Sequence, residues 1–204
     1  MSTSRTILFV STICLLAVLA ASSGSDEKVR YDLYVESLCP DCIGFIEESI
    51  APALEIPGFL DIAELNFIPY GNAKRADNGT ITCQHGVPEC YGNKIEACGE
   101  LYIPARMDYF NFIICVESNI NRFSPAFDTV VAGCVEALAL PSDTLTSIIT
   151  CANDTIGDDL NAYNGKLTDV LIPKHTYVPW VVINGVHNDS EEEAAIDNIL
   201  SFTC

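Results

Sequence analysis

Cys39-Pro40-Asp41-Cys42 sets two thiols apart by two residues, close enough to join as a disulfide. Such a pair can exchange electrons with other disulfides. One thiolate attacks a disulfide sulfur, a mixed disulfide forms, and the second thiol displaces the product. The pair stands where an alternating apolar pattern gives way to helical spacing. A thiol at a helix start meets unpaired backbone N–H groups and the positive end of the helix dipole, and both favour its thiolate. The first sulfur is the more exposed, so Cys39 is the candidate nucleophile and Cys42 the resolving thiol. Three other uses of the pair compete. A zinc knuckle needs a second ligand pair, and no second CxxC exists among Cys14, Cys83, Cys90, Cys98, Cys115, Cys134, Cys151 and Cys204, so no metal is expected. A purely structural disulfide is the second. A saposin-like lipid-binding module is the third, and it has no place for a strand before Cys39 or a β-hairpin near the end.

The elements that must position the pair can be read from periodicity. Val29, Tyr31, Leu33 and Val35 alternate with polar or tyrosine positions, which predicts a strand. Ile43, Phe45, Ile46 and Ile50 follow at helical spacing, and Pro57-Gly58 ends that helix. A second strand is expected over 59–70, giving a βαβ unit. From Cys83 onward the spacing is mostly helical, with helices expected over 109–121, 123–138 and 144–162 and Ser142 as the cap of the last. Trp180-Val181-Val182-Ile183 then reads as a strand, Asn184-Gly185 as a hairpin turn, and 191–200 as a closing helix. The order is βαβ, a helical block, then ββα, with the block over about 71–172 placed as an insertion into a single domain, 25–204.

Tyr177-Val178-Pro179-Trp180 supplies a second chemical element. Proline cannot donate to a sheet ladder, so Pro179 belongs at the strand's start. A CxxC at a strand–helix junction with a proline there resembles a thioredoxin-like fold. In that fold the proline is cis and faces the CxxC, and the preceding residue, here Val178, offers its backbone to substrate. A plain trans proline opening a strand is the alternative.

Composition bounds the setting. The 204 residues hold 28 Asp and Glu against 10 Lys and Arg, a formal net charge of -18, which excludes a protein held on nucleic acid by phosphate contacts. A hydrophobic fraction of 49% supplies a core and argues against disorder. Ten cysteines point to an oxidising compartment. Arg5, the apolar run 7–20 and the small residues after it predict a cleaved signal peptide, 1–24, which removes Cys14. No later stretch is long and apolar enough to span a membrane. The chain ends without a Lys-Asp-Glu-Leu-type retention signal, which favours export or an endosomal-lysosomal destination. Asn78, Asn153 and Asn188 open glycosylation sequons and should lie at the surface.

The segment from Cys83 to Cys98 narrows the reading. Cys83, Gln84, His85, Gly86, Glu89, Cys90, Asn93 and Cys98 stand at the fixed positions of the signature of the gamma-interferon-inducible lysosomal thiol reductase family. CxxC, signature and Val178-Pro179-Trp180 occur in that family's order, so the chain resembles it over nearly its whole mature length. The resemblance implies a thioredoxin-like α/β domain with a helical, disulfide-stapled insertion. It implies an enzyme that reduces disulfides of unfolded or partly unfolded proteins in acidic endosomes and lysosomes. Cys39 and Cys42 match the active pair and Pro179 the cis-proline. No bound cofactor is expected, and an external thiol such as cysteine or glutathione would regenerate the enzyme. The same chemistry run in the oxidising direction, as an oxidase or isomerase, is the alternative. Cys83, Cys90, Cys98, Cys115, Cys134 and Cys151 are read as structural disulfides, and His85 as a packing or hydrogen-bonding residue. Without the redox pair, seven mature cysteines remain, an odd number, and Cys204 is the expected leftover, available to cross-link a dimer.

An acidic lumen creates a tension. A thiol with a pKa of ~7 is only about 1% ionised at pH ~5. The helix start should lower Cys39, and the Asp41 carboxylate should oppose that. Cys39 is therefore expected to be active in acid yet a weaker oxidant than pairs with a cationic intervening residue.

Overall fold

Five strands and nine helices are described over residues 27–204 in a computed structural model. The expected signal peptide and Cys14 lie outside those residues. Two compact units are distinguished: one takes residues up to 33, 45–66 and 181–204, the other 34–44 and 67–180. The insertion expected over about 71–172 falls within the second.

β1 (Val29–Val35) is the middle strand of a three-stranded sheet with β2 (Ala63–Pro69) and β5 (Trp180–Ile183) as its neighbours. Both faces of β1 are covered, so Asp32 and Tyr34, expected on an outer face, are buried. The helical run after the CxxC comprises α1 (Pro40–Phe45), a π-helical turn (Ile46–Ile50) and α2 (Ala51–Leu54). The strand expected to begin at 59 begins at Ala63 instead. Gly58, at φ 88°, starts a one-turn helix, α3 (Phe59–Ile62), which buries Phe59. Its apolar positions fit either period over so few residues.

The Asn184-Gly185 turn has both residues at positive φ, 51° and 81°, as a type I′ hairpin turn requires. The returning strand is a single bridge, Ile183 to Val186. The closing helix α9 (Asp189–Thr203) starts earlier than expected because the Asn188 side chain accepts from Ser190 N and Glu191 N. It packs on the π-helical turn and α2. There the Ser49 hydroxyl donates to Ala195 O (2.9 Å) and accepts from Ile199 N (2.8 Å). A foreign acceptor for that N–H accounts for the kink at Asn198.

The second unit holds the short hairpin β3 (Lys74–Arg75) and β4 (Ile81–Thr82), and helices α4 (Val87–Tyr102), α5 (Arg106–Asn119), α6 (Phe127–Ala137), α7 (Thr144–Ala152) and α8 (Thr155–Asp169). Sequence periodicity did not resolve α4 as an element, although Pro88 in its first turn is a helix-start residue. The expected helix over 144–162 is two helices, because the Asp154 side chain caps a new start at Thr155 N (2.7 Å). Asp143, not Ser142, holds the cap position of α7. The start expected at 123 falls at Phe127, after Pro125. Three disulfides join these parts. Cys83–Cys90 ties the loop before α4 to its first turn, Cys98–Cys151 links α4 to α7, and Cys115–Cys134 links α5 to α6. Cys204, expected as the unpaired thiol of the mature chain, is disulfide-bonded in the full chain.

Candidate active site

The redox pair follows β1, with Cys39 immediately before α1 and Cys42 in its first turn, as the sequence placed it. Ile43 N donates to Cys39 O (3.0 Å), so Cys39 sits at the N-cap of the helical run. Cys39 and Cys42 are both free thiols, 5% and 0% exposed. Cys39 Sγ accepts from Cys42 N (3.4 Å) and lies 3.9 Å from the Val178 carbonyl, to which its protonated form donates. The Val178–Pro179 peptide is cis, and both residues are buried. The residues expected to flank the chemistry therefore meet at one sulfur.

The two thiols are driven apart in acidity. The Cys42 side chain and the Cys42 and Asp41 backbone N–H groups lower Cys39, against burial and the Glu36 carboxylate. Burial, and the neighbouring Cys39 sulfur, hold Cys42 well above the ordinary thiol range. This division suits a nucleophile and a resolving thiol. The opposing carboxylate differs from the one expected: Glu36 raises Cys39, whereas Asp41 contributes a favourable backbone N–H.

Glu36, Ser37, Leu38 and Cys39 separate β1 from α1, and the helical block holds Ser37 and Leu38. Ser37 N donates to Asn93 Oδ1 (2.8 Å) and Ser37 Oγ to Glu117 Oε1 (3.0 Å). Arg122 Nε donates to Leu38 O (2.6 Å). Leu38 sits at φ 68°, a left-handed conformation costing about 1–2 kcal/mol for a residue with a Cβ. These bonds fix that turn, and with it the direction of the Cys39 side chain. Gly92 lets α4 approach, since a Cβ there would lie 2.3 Å from Ser37 Oγ.

Glu36 is 2% exposed and accepts from Asn72 N (2.7 Å). Asn72 Nδ2 in turn donates to Gln84 Oε1 (2.8 Å). His85 Nδ1 lies 2.8 Å from Glu89 Oε2 and 3.6 Å from Glu36 Oε1, and His85 N also donates to Glu89. The signature residues Gln84, His85, Glu89 and Asn93 thus surround the turn before Cys39 without containing the redox sulfurs. His85 makes hydrogen bonds, as expected of it. Burial pushes the Glu36 and Glu89 carboxyls up from the usual range, more than hydrogen bonds from Asn72 and His85 lower them. Glu96, fully buried, is held well above that range by burial and then by Glu117.

Sequence reasoning missed Glu36, Ser37, Glu117 and Arg122. Strand alternation put Glu36 on an open face, and the others come from separate elements. Asn78, Asn153 and Asn188 are all exposed.

Known proteins share both the pattern and the fold. The sequence profile of the gamma interferon inducible lysosomal thiol reductase family matches residues 30–138. The chain is 34% identical over 184 residues to the gamma-interferon-inducible lysosomal thiol reductase of Carassius auratus, covering 86% of this chain and 67% of that protein. It is 34% identical over 209 residues to GILT-like protein 1 of Drosophila melanogaster, covering 96% and 82%. Among solved structures, oxidised DsbA of Mycobacterium tuberculosis superposes with a TM-score of 0.53 at 12% identity, over 81% of this chain and 78% of that one. The thiol-disulfide exchange protein alpha-DsbA2 of Wolbachia pipientis gives 0.51 at 14% identity, over 97% and 98%. The fold is thioredoxin-like.

Proposed function

This chain belongs to the gamma-interferon-inducible lysosomal thiol reductase family and is a thiol-disulfide oxidoreductase, and on that premise we propose that it reduces disulfides of polypeptide substrates in an acidic lumen. The observation that carries this reading is Cys39 at a helix start, with a lowered pKa, beside a buried Cys42 whose pKa is raised.

Each step conserves electrons. The Cys39 thiolate attacks one substrate sulfur, a Cys39–substrate disulfide forms, and the other substrate sulfur leaves as a thiolate that takes up a proton. Cys42 then loses its proton and attacks Cys39 Sγ, the Cys39–Cys42 disulfide forms, and the second substrate sulfur leaves and is protonated. The substrate gains two electrons and the pair loses two. Two equivalents of a small thiol, cysteine or glutathione, restore the dithiol. Val178 offers its carbonyl to an extended substrate segment, and Pro179 holds that carbonyl at the sulfur.

Acidity fits this arrangement. Glu36 is the carboxylate that raises Cys39, and burial makes it hold its proton more readily than an exposed acid. Acidification therefore removes an opposing charge as it reduces the thiolate fraction. The compartment is endosomal-lysosomal or extracellular, reached through the signal peptide. No helix among the described residues is long and apolar enough to cross a membrane. Asn78 and Asn188, whose amide oxygens are engaged in local turns, are the preferred glycan acceptors. Asn153 Nδ2 is already bonded to Tyr91 Oη (3.0 Å) and Ile149 O (2.8 Å).

Insulin reduction tests the reading. With cysteine as reductant at pH ~5, where free thiols are almost wholly protonated, the protein should precipitate the insulin B chain faster than cysteine alone. Absence of any acceleration with cysteine, glutathione or a dithiol donor would refute it.

A further inference from the structure

The groove beside Cys39 carries charge opposite to that of the chain. Ten Lys and Arg stand against 28 Asp and Glu in the sequence. Four of those ten, Lys74, Arg75, Arg122 and Lys174, line one cavity of about 1110 Å³ together with Cys39 and Val178. That volume exceeds the roughly 300–1,000 Å³ of small-ligand pockets and suits a polypeptide segment.

Three of the five described cations elsewhere are held in ion pairs, Lys28 and Lys166 being the others. Arg30 is paired with Asp32, Lys94 with Asp158 and Arg106 with Glu100. Lys74 and Lys174 are exposed and form no ion pair among the described residues. Arg122 spends Nε on Leu38 O, and Arg75 meets Asp169 at 3.3 Å. Of the acids on the cavity wall, Asp169 is engaged by Arg75, Glu36 is buried at its base, and Asp41 is the exposed one without an ion pair. The groove thus presents an excess of unpaired positive charge to solvent, on a protein whose total charge is strongly negative.

We propose that Lys74, Lys174 and Arg122 form a specificity subsite that selects disulfides flanked by Asp or Glu in the substrate chain. The proposal rests on Cys39 and Cys42 being the reductase pair. An acidic segment is drawn to the groove while the rest of the surface repels it, so encounters that succeed are those aimed at Cys39. A basic segment is attracted by the net negative charge of the chain but not by the groove at the reactive sulfur. Because Lys74 and Lys174 are exposed, the selection is salt-sensitive.

Three peptides closed by the same disulfide test this, with Asp/Glu, Ser/Asn or Lys/Arg at the flanking positions. At pH ~5 acidic flanks are mostly still ionised. The acidic peptide should be reduced with the highest kcat/KM and the basic one with the lowest, by about tenfold across the series at low salt, and the spread should shrink at high salt. K74E/K174E should invert the ranking. Equal rates for all three, or a wild-type preference for the basic peptide, overturn the proposal. Binding of the linear peptides to the Cys39→Ser protein should give the same ranking by fluorescence anisotropy. If no peptide is reduced, the reductase reading fails, and the binding ranking alone decides the subsite.

Discussion

The Cys39→Ser protein is expected to lose disulfide reduction by about a thousandfold or more in kcat/KM, whereas Cys42→Ser should form a covalent complex with substrate and stall there. The difference follows from the geometry. Cys39 Sγ faces the cavity and the Val178 carbonyl, while Cys42 is wholly buried behind it. Serine at 39 leaves no accessible thiol among the described residues, because the others are in disulfides or buried. Serine at 42 leaves the first attack intact and removes the displacing sulfur, so the mixed disulfide persists until an external thiol cleaves it. Non-reducing gels and intact mass would show the adduct for Cys42→Ser. An adduct formed instead by Cys39→Ser would reverse the assigned roles.

The second large effect is on stability, which should fall on going from pH ~5 to pH ~8 by more than about 2 kcal/mol. Glu36, Glu89 and Glu96 are each no more than 2% exposed, and burial raises all three. A carboxyl whose pKa is raised by folding contributes fully below its unfolded value, ~4.3, and that contribution is lost as pH climbs through the folded value. The unfolded chain releases these protons first, so it gains at neutral pH. Each tenfold change in a group's affinity for its proton is worth about 1.4 kcal/mol, and Glu96, facing Glu117 in the interior, dominates. Burial lowers His175, which works in the opposite direction as pH rises through ~6.5, but it is a single, partly exposed group. Urea titrations of the Cys39→Ser/Cys42→Ser protein, with no redox thiol to titrate, measure the slope. Glu96→Gln should flatten it by stabilising the protein mainly at the higher pH. A wild-type curve that rises towards pH ~8 would contradict the carboxyl account.

Much of the site was readable because its chemistry is local. CxxC, the strand before it and the helix after it lie in one continuous stretch, and Pro179 opens a short apolar strand whose type is unambiguous. The parts that escaped are those made by tertiary contact. Glu36 follows an alternation that predicts an exposed side chain, yet β1 is a middle strand with both faces covered, and the acid is buried beside Asn72 and His85. Ser37, Glu117 and Arg122 come from three places in the chain and meet, with Asn93 of the signature, only at the turn before Cys39. The cations of the groove are likewise scattered, at 74–75, 122 and 174. Among the helices, the break at Asn153-Asp154 was hidden because apolar spacing continues across it, although Asp154 is a good cap.

All of this converges on a division of labour between two sulfurs, with Cys39 ionising readily at a helix start and Cys42 kept protonated by burial. Iodoacetamide labelling of the reduced protein across pH, read by peptide mass spectrometry, tests it most directly. The account predicts that Cys39 is alkylated with a midpoint below the ~8.5 of free cysteine while Cys42 stays unlabelled. A Cys39 midpoint at or above that of free cysteine, or labelling of Cys42 ahead of Cys39, would contradict it.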